Sequence, residues 1–258
     1  MLTTDTLIYM LDVSIDKLMG DPRLVWIDHH KSAMGKLGED IYGYRIDGVA
    51  ACRLAWQWFT TDRSKSVLPI KSQYVDRTLP EPLSVRLAGE YDIWDKRDTR
   101  AELFQHGLKS RDISENLWEL LLVSQDDDGR GKVDVGTIAV EALLESGKVI
   151  QFVREKEYAS VITEQGFDIQ FEGLTFLACC SHELDIRSHL FAAGVNSYHD
   201  ALLGFTYSPN AAGLNWRVSM YHAPGHESHD LSQIAVKYGG GGHRGACGFR
   251  AKSLPFLT

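Results

Sequence analysis

Asp28, His29 and His30 stand together at the end of an apolar run, Leu24-Val25-Trp26-Ile27. A carboxylate beside two imidazoles offers oxygen and nitrogen ligands to a divalent metal such as manganese. Asp12 ends a similar run, Leu7-Ile8-Tyr9-Met10-Leu11. A second chemical signal lies far along the chain. There Gly239-Gly240-Gly241-Gly242 leads into His243-Arg244-Gly245-Ala246-Cys247-Gly248-Phe249. Consecutive glycines let a backbone approach an anion with its N–H groups exposed. Arginine adds a planar fork suited to phosphate oxygens. The first signal is a place for a cation, the second a place for a phosphate.

The elements around the first signal say how it is held. Short unbroken apolar runs fit strands buried on both faces, as in a parallel sheet. Between the two runs, Ser14 can cap a short helix and Gly20 can end it. Strand–helix–strand makes the two strands parallel. Asp12 and Asp28 then share the carboxyl edge of the sheet, where open α/β folds place their ligands. Residues 48–59 predict a helix whose tryptophans, Trp56 and Trp58, belong to the core. Residues 84–95 predict a helix leading to a turn, and 110–123 another. Ser124–Asp134 is polar enough for a linker, and a long helical pattern covers about 135–165. Beyond it the runs FDIQF, LTFLACC, ALLGFTY and WRVSMY, punctuated by Gly, Asn and Pro, predict an α/β second domain.

Composition narrows the function. The chain has 258 residues, 44% hydrophobic and 24% charged, which is ordinary for a globular protein. Residues 1–165 hold 28 acidic and 21 basic side chains; residues 166–258 hold 7 and 6. Neither part has the basic surplus of a protein that grips a long duplex. If the substrate is a nucleic acid, a short piece is expected. Cys52, Cys179, Cys180 and Cys247 lack zinc-ligand spacing and fit buried thiols in a reducing cytoplasm. The first residues lack the basic flank of a signal peptide, and no stretch approaches a membrane span. His222, His226 and His229 read as a solvated loop rather than a metal site, and His182, His189 and His199 show no convincing partners. Asp95 and Asp98 read as surface charge.

Asp28-His29-His30 and Gly239 to Phe249, in that order, resemble the DHH–DHHA1 phosphoesterase superfamily. Its members include RecJ-type nucleases, the oligoribonuclease that also cleaves pAp, cyclic-dinucleotide phosphodiesterases and exopolyphosphatases. Leu11-Asp12-Val13-Ser14 is similar to the family's second motif and Tyr91-Asp92 to its fourth. Asp230-Leu231-Ser232-Gln233-Ile234-Ala235 is similar to the segment that introduces the family's glycine loop. The resemblance implies that Asp12, His29 and Asp92 ligate manganese and that Asp28 ligates it or orients a ligand. It implies that His30 stabilises charge at the scissile phosphate. It implies that Gly240, Gly241, Gly242, His243 and Arg244 hold substrate phosphate across an interdomain cleft. Two Mn2+ ions are expected of the family, as in other two-metal hydrolases.

The chain departs from the pattern in two places. The first motif, His-x-Asp-x-Asp-Gly on a strand before Asp12, is missing, which is expected either of a fragment or internal start or of a chain with a reduced metal site and lower activity. Asp126-Asp127-Asp128-Gly129 does not replace it, because it lies in the linker and acidic runs are usually solvated. Where the family has Ser-Leu-Arg-Ser, this chain has Ser219-Met220-Tyr221-His222. Arg217 shares a strand face with Tyr221 and can partly substitute for the missing arginine.

The resulting expectation is an α/β protein. Residues 1–128 form a parallel-sheet DHH domain without its first strand, 129–165 a linker and connector helix, and 166–258 a smaller DHHA1 domain. The expected function is Mn2+-dependent phosphoester hydrolysis. The partner is a short single-stranded nucleic acid or a small nucleotide, such as pAp or a product of cyclic-dinucleotide cleavage. No membrane is involved, a homodimer is compatible, and the compartment is the cytoplasm. The alternatives are a degenerate nucleotide-binding or regulatory protein and an exopolyphosphatase-like hydrolase.

Overall fold

The computed structural model describes residues 6–37, 40–112, 114–122, 135–180 and 188–257. The linker at 124–134, with Asp126–Asp128, falls outside them, as do His182 and the side chain of His189. The chain is α/β and divides into two units, Met1–Gln151 and Phe152–Thr258.

The first unit carries a three-stranded sheet of β1 (Ile8–Leu11), β2 (Leu24–Asp28) and β3 (Gly43–Arg45). The strands are all parallel and lie in the order β1-β2-β3. The parallel pairing of the first two is the one their apolar runs predict. All five residues of β2 are buried. Its side chains alternate between two cores, as a strand's period of two demands. Val25 and Ile27 pack with Leu54, Trp58 and Tyr74 on one face. Leu24 and Trp26 pack with Met10 against Leu18, Met19 and Met34 on the other. On β1 only Met10 is buried, while Tyr9 and Leu11 are exposed. Among the described residues β1 is an edge strand.

The helices of this unit are α1 (Lys31–Leu37), α2 (Ala51–Thr60), α3 (Lys71–Val75), α4 (Leu83–Asp92), α5 (Arg100–Lys109) and α6 (Glu115–Leu122). Trp58 is buried and Trp56 half-buried, as expected of a core helix. The long α7 (Val135–Gln165) is shared between the units. Val140, Leu143 and Leu144 pack with Leu87, Phe104 and Leu121 of the first unit. Tyr158 and Ile162 pack with Leu177, Phe191 and Leu202 of the second. The helix read from sequence as a connector therefore contributes half its length to each core.

The second unit is a six-stranded mixed sheet, β4 (Phe167–Phe171), β5 (Leu174–Cys180), β6 (Ala201–Tyr207), β7 (Trp216–His222), β8 (Gly241–His243) and β9 (Ala246–Ala251), ordered β4-β5-β6-β7-β9-β8. β5 and β6 are parallel and the other neighbours antiparallel. One face carries Phe171, Phe176, Leu203, Val218 and Phe249 under α8 (Leu231–Lys237). The four cysteines are free thiols. Among the described residues no helix is long and apolar enough to cross a membrane.

Candidate metal centre

Three separate elements bring Asp12, His29 and Asp92 together. Leu11 pairs with Ile27, and the Asp12 N–H donates to the Ile27 carbonyl at 3.0 Å. That bond sets the end of β1 beside the end of β2. Asp12 has φ of 59°, a left-handed conformation that aspartate tolerates better than most residues. Asp92 is the last residue of α4. His29 Nε2 lies 3.2 Å from Asp12 Oδ1 and 3.2 Å from Asp92 Oδ2. The His29 side chain is only 12% exposed, whereas the two carboxylates are about half exposed, so the cluster opens to solvent through its acids. Partial burial pushes the Asp92 carboxyl upward, and the His29 ring opposes that shift.

Asp28 has a different task. It is wholly buried, and both oxygens are occupied. Oδ1 accepts from the His29 N–H at 2.7 Å, the His30 N–H at 3.1 Å and the His30 ring at 2.7 Å. Oδ2 accepts from the Trp26 indole at 3.1 Å. Burial alone raises this carboxyl, but the N–H donors of His30 and His29 and the His30 ring outweigh it, and the net shift is downward. Of the two roles open to Asp28, these contacts supply the orienting one. Asp28 thereby fixes the turn after β2 that presents both histidines. In return, the hydrogen bond to Asp28 raises the His30 imidazole above its ordinary value. His30 Nδ1 sits 3.9 Å from Asp12 Oδ1, so it flanks the cluster.

The end of α4 is held by groups that sequence reasoning missed. Glu90 is fully buried, two residues before Asp92. It accepts from Arg77 Nε and Nη2 at 2.7 and 2.9 Å and from Arg86 Nη1 at 3.1 Å. Arg86 Nη1 also donates to Asp98 at 3.0 Å, and Arg100 donates to Asp98 through Nε at 3.0 Å and Nη2 at 2.8 Å. Asp98 is 9% exposed, so it is not the surface charge its sequence suggests. The helix closes with Trp94 in a left-handed conformation, φ 58°. The Asp95 N–H reaches the Glu90 carbonyl and the Trp94 N–H that of Tyr91, the paired bonds of a Schellman end. The Arg86–Glu90 spacing of four was the available signal.

The donor set fits a divalent cation. One ring nitrogen carries at most one proton, so Asp12 and Asp92 compete for a single hydrogen from His29. Asp12, His29 and His30 offer ligand atoms within 4.8 Å of one another, and Asp92 adds a carboxylate 3.2 Å from His29, so a cation can take the place of that hydrogen. Two carboxylates with imidazole suit manganese and its neighbours in the series.

The remaining predicted residues belong to the second unit. The glycine run is not a free loop. Gly239 ends α8 in a left-handed conformation, and Gly241-Gly242-His243 form the edge strand β8, paired with β9. A side chain at Gly240 or Gly242 would strike Gly248 or Cys247 on β9, whereas Gly241 faces open space. Close strand packing therefore explains two of the three glycines assigned to phosphate. His243 and Arg244 are exposed. Arg244 donates to the carbonyls of Ser228 and, at 3.4 Å, His229. Arg217 is exposed on β7, on the face opposite Val218 and Met220. His199 does have partners: its Nδ1 accepts from the Asn196 N–H at 2.9 Å and its Nε2 meets Asp168 at 2.9 Å.

No family model matches the chain, and no curated protein matches it. Among solved structures, it is similar to a pGpG-specific phosphodiesterase from Vibrio cholerae. The identity is 14% and the TM-score 0.38, covering 88% of this chain and 73% of the other. It is similar to an exopolyphosphatase-related protein from Bacteroides fragilis at 11% identity and a TM-score of 0.44, covering 96% and 67%. It is also similar to the DHH domain of a protein described as a member of a family of ribosomal proteins. There the identity is 13% and the TM-score 0.48, covering 89% and 60%.

Proposed function

We propose that this chain is a metal-dependent phosphoester hydrolase of the DHH–DHHA1 kind, acting on short oligonucleotides or small nucleotides such as pAp. The observation that carries the reading is His29 Nε2 placed 3.2 Å from both Asp12 and Asp92 at a sheet's carboxyl edge. Asp12, His29 and Asp92 hold the cation, taken as manganese. A bound divalent cation makes water acidic enough to attack at neutral pH and draws charge from a phosphoryl oxygen. Asp28 keeps His29 and His30 in their orientations. His30, its Nδ1 engaged by Asp28, keeps Nε2 for a substrate oxygen. His243 and Arg244 bind a substrate phosphate, Gly241 gives it room, and Arg217 adds a positive charge on the Tyr221 face.

The test is hydrolysis of a 5′-phosphorylated diribonucleotide with Mn2+, compared with the His29→Ala variant. Turnover that vanishes in the variant supports the reading. Absence of turnover in the unmodified chain, or full turnover in His29→Ala, defeats it.

A further inference from the structure

We propose that Asp200, His226 and His229 form a second cation site, of the zinc type, within the unit that carries the glycine run. It does not rest on the hydrolase reading. Asp200 immediately precedes β6, and both histidines lie between β7 and α8. Asp200 Oδ1 stands 3.7 Å from His226 Nδ1 and 3.8 Å from His229 Nε2, and the ligand atoms of all three lie within 4.8 Å of one another. These gaps are too long for hydrogen bonds. They are close to the spacing of donors around one small ion with bonds of about 2 Å.

The outer contacts point the same way. Among the described residues, His226 Nε2 faces only an acceptor, the Ser197 carbonyl at 3.3 Å. With the ring proton on that nitrogen, Nδ1 turns a lone pair toward a carboxylate oxygen. Two electron-rich atoms facing each other call for a cation between them. Metal-bound histidines characteristically donate their second ring N–H to a carbonyl or carboxylate. The Thr175 N–H donates to Asp200 Oδ2 at 2.8 Å and so aims Oδ1 at the histidines. The His229 carbonyl is held by His222 Nε2 at 2.7 Å, which fixes the backbone that carries the third ligand. The two imidazole planes are 6° apart. Two imidazoles with one carboxylate favour zinc over a harder ion. All three side chains are about one-third exposed, which leaves a coordination position for water. Because Arg244 donates to the Ser228 and His229 carbonyls, an ion here also stiffens the segment that seats that arginine.

The test uses the full chain, stripped of metal and carrying Asp12→Ala and His29→Ala so that the first cluster is silent. Zinc is titrated against a chromogenic chelator. One equivalent is expected, and adding His226→Ala or His229→Ala weakens it by at least about tenfold. Asp200→Asn keeps an acceptor for the Thr175 N–H while removing the charge, and it weakens zinc in the same direction with circular dichroism unchanged. Cobalt in the same background gives visible absorption that His226→Ala abolishes. No stoichiometric zinc, or zinc binding untouched by all three substitutions, overturns the proposal.

Discussion

His29 Nε2, at the end of β2, lies 3.2 Å from Asp92 Oδ2, at the end of α4. The contact joins a sheet edge to a helix end, with Asp12 equally close to the same nitrogen. Removing either partner should therefore act on the ion and not on the core, since Asp92 is about half exposed. Calorimetric titration with Mn2+ should show His29→Ala and Asp92→Asn each weakening binding by at least about 10–100-fold, the range seen even for outer contacts. Their urea midpoints should stay close to that of the unmodified chain. Unchanged Mn2+ affinity in both variants would remove the cluster from consideration as a metal centre.

Asp28 should behave in the opposite way. Its buried oxygens accept from two backbone N–H groups, the His30 ring and the Trp26 indole. Each buried donor left without an acceptor costs about 1–3 kcal/mol, and the Trp26 indole keeps the Val13 carbonyl as an alternative. Asp28→Ala should lose at least about 2 kcal/mol of stability. Asp28→Asn keeps an acceptor and should lose less, yet lower turnover by loosening His30. A chemical denaturation series on the two variants separates these effects, and equal losses would contradict the orienting role.

The buried carboxylate Glu90 gives a prediction about stability and acid. Breaking a buried ion pair from one side costs about 3–5 kcal/mol, and Glu90→Ala should sit near the lower end because Arg77 is partly exposed and Arg86 retains Asp98. Arg100 beside Asp98 holds that carboxyl well below the usual carboxylate range, and Arg86 adds to the effect. A carboxyl depressed on folding stabilises the protein fully above its unfolded pKa, about 3.9, and this contribution is lost as the pH falls through the folded value. Tm measured from pH 5 down to pH 2 should therefore decline below about 4, and Asp98→Asn should flatten the decline. A slope identical in the variant would assign acid sensitivity elsewhere.

Much of the first unit's sheet edge was legible because an aspartate that ends an apolar run marks the end of a strand, although only the β2 run proved buried throughout. Asp12 and Asp28 came out adjacent for that reason. The 31-residue helix α7 was legible from its length and pattern, but its division between two cores was not, because both halves carry the same kind of apolar stripe. Asp98 reads as surface charge because charged residues usually lie at the surface, and only tertiary packing shows that it shares Arg86 with the buried Glu90. The glycine run reads in sequence as a backbone that approaches an anion. β9 makes it a strand by leaving no room for side chains at Gly240 and Gly242. The partnership of His199, just before β6, with Asp168 of β4 joins residues 31 apart and left no local trace.

Gly107 of α5 and Gly147 of α7 mark the closest approach of those helices. A Cβ at Gly107 would lie 2.0 Å from the Leu143 carbonyl oxygen, and one at Gly147 would lie 2.0 Å from that of Leu103. The obstacle in both cases is backbone, which cannot rotate away. Glycine normally costs a helix about 1 kcal/mol relative to alanine, so on propensity alone either substitution would stabilise. Here the helices must separate to admit the methyl group, which strips contacts from Phe104, Leu108, Val140 and Leu143. Overpacking of this kind costs about 1–3 kcal/mol and should win. The double variant should lose less than the sum of the two singles, because one separation makes room for both methyl groups. Urea unfolding of the two singles and the double checks this, and a stabilised single variant or strict additivity would show that the two glycines do not share one crossing.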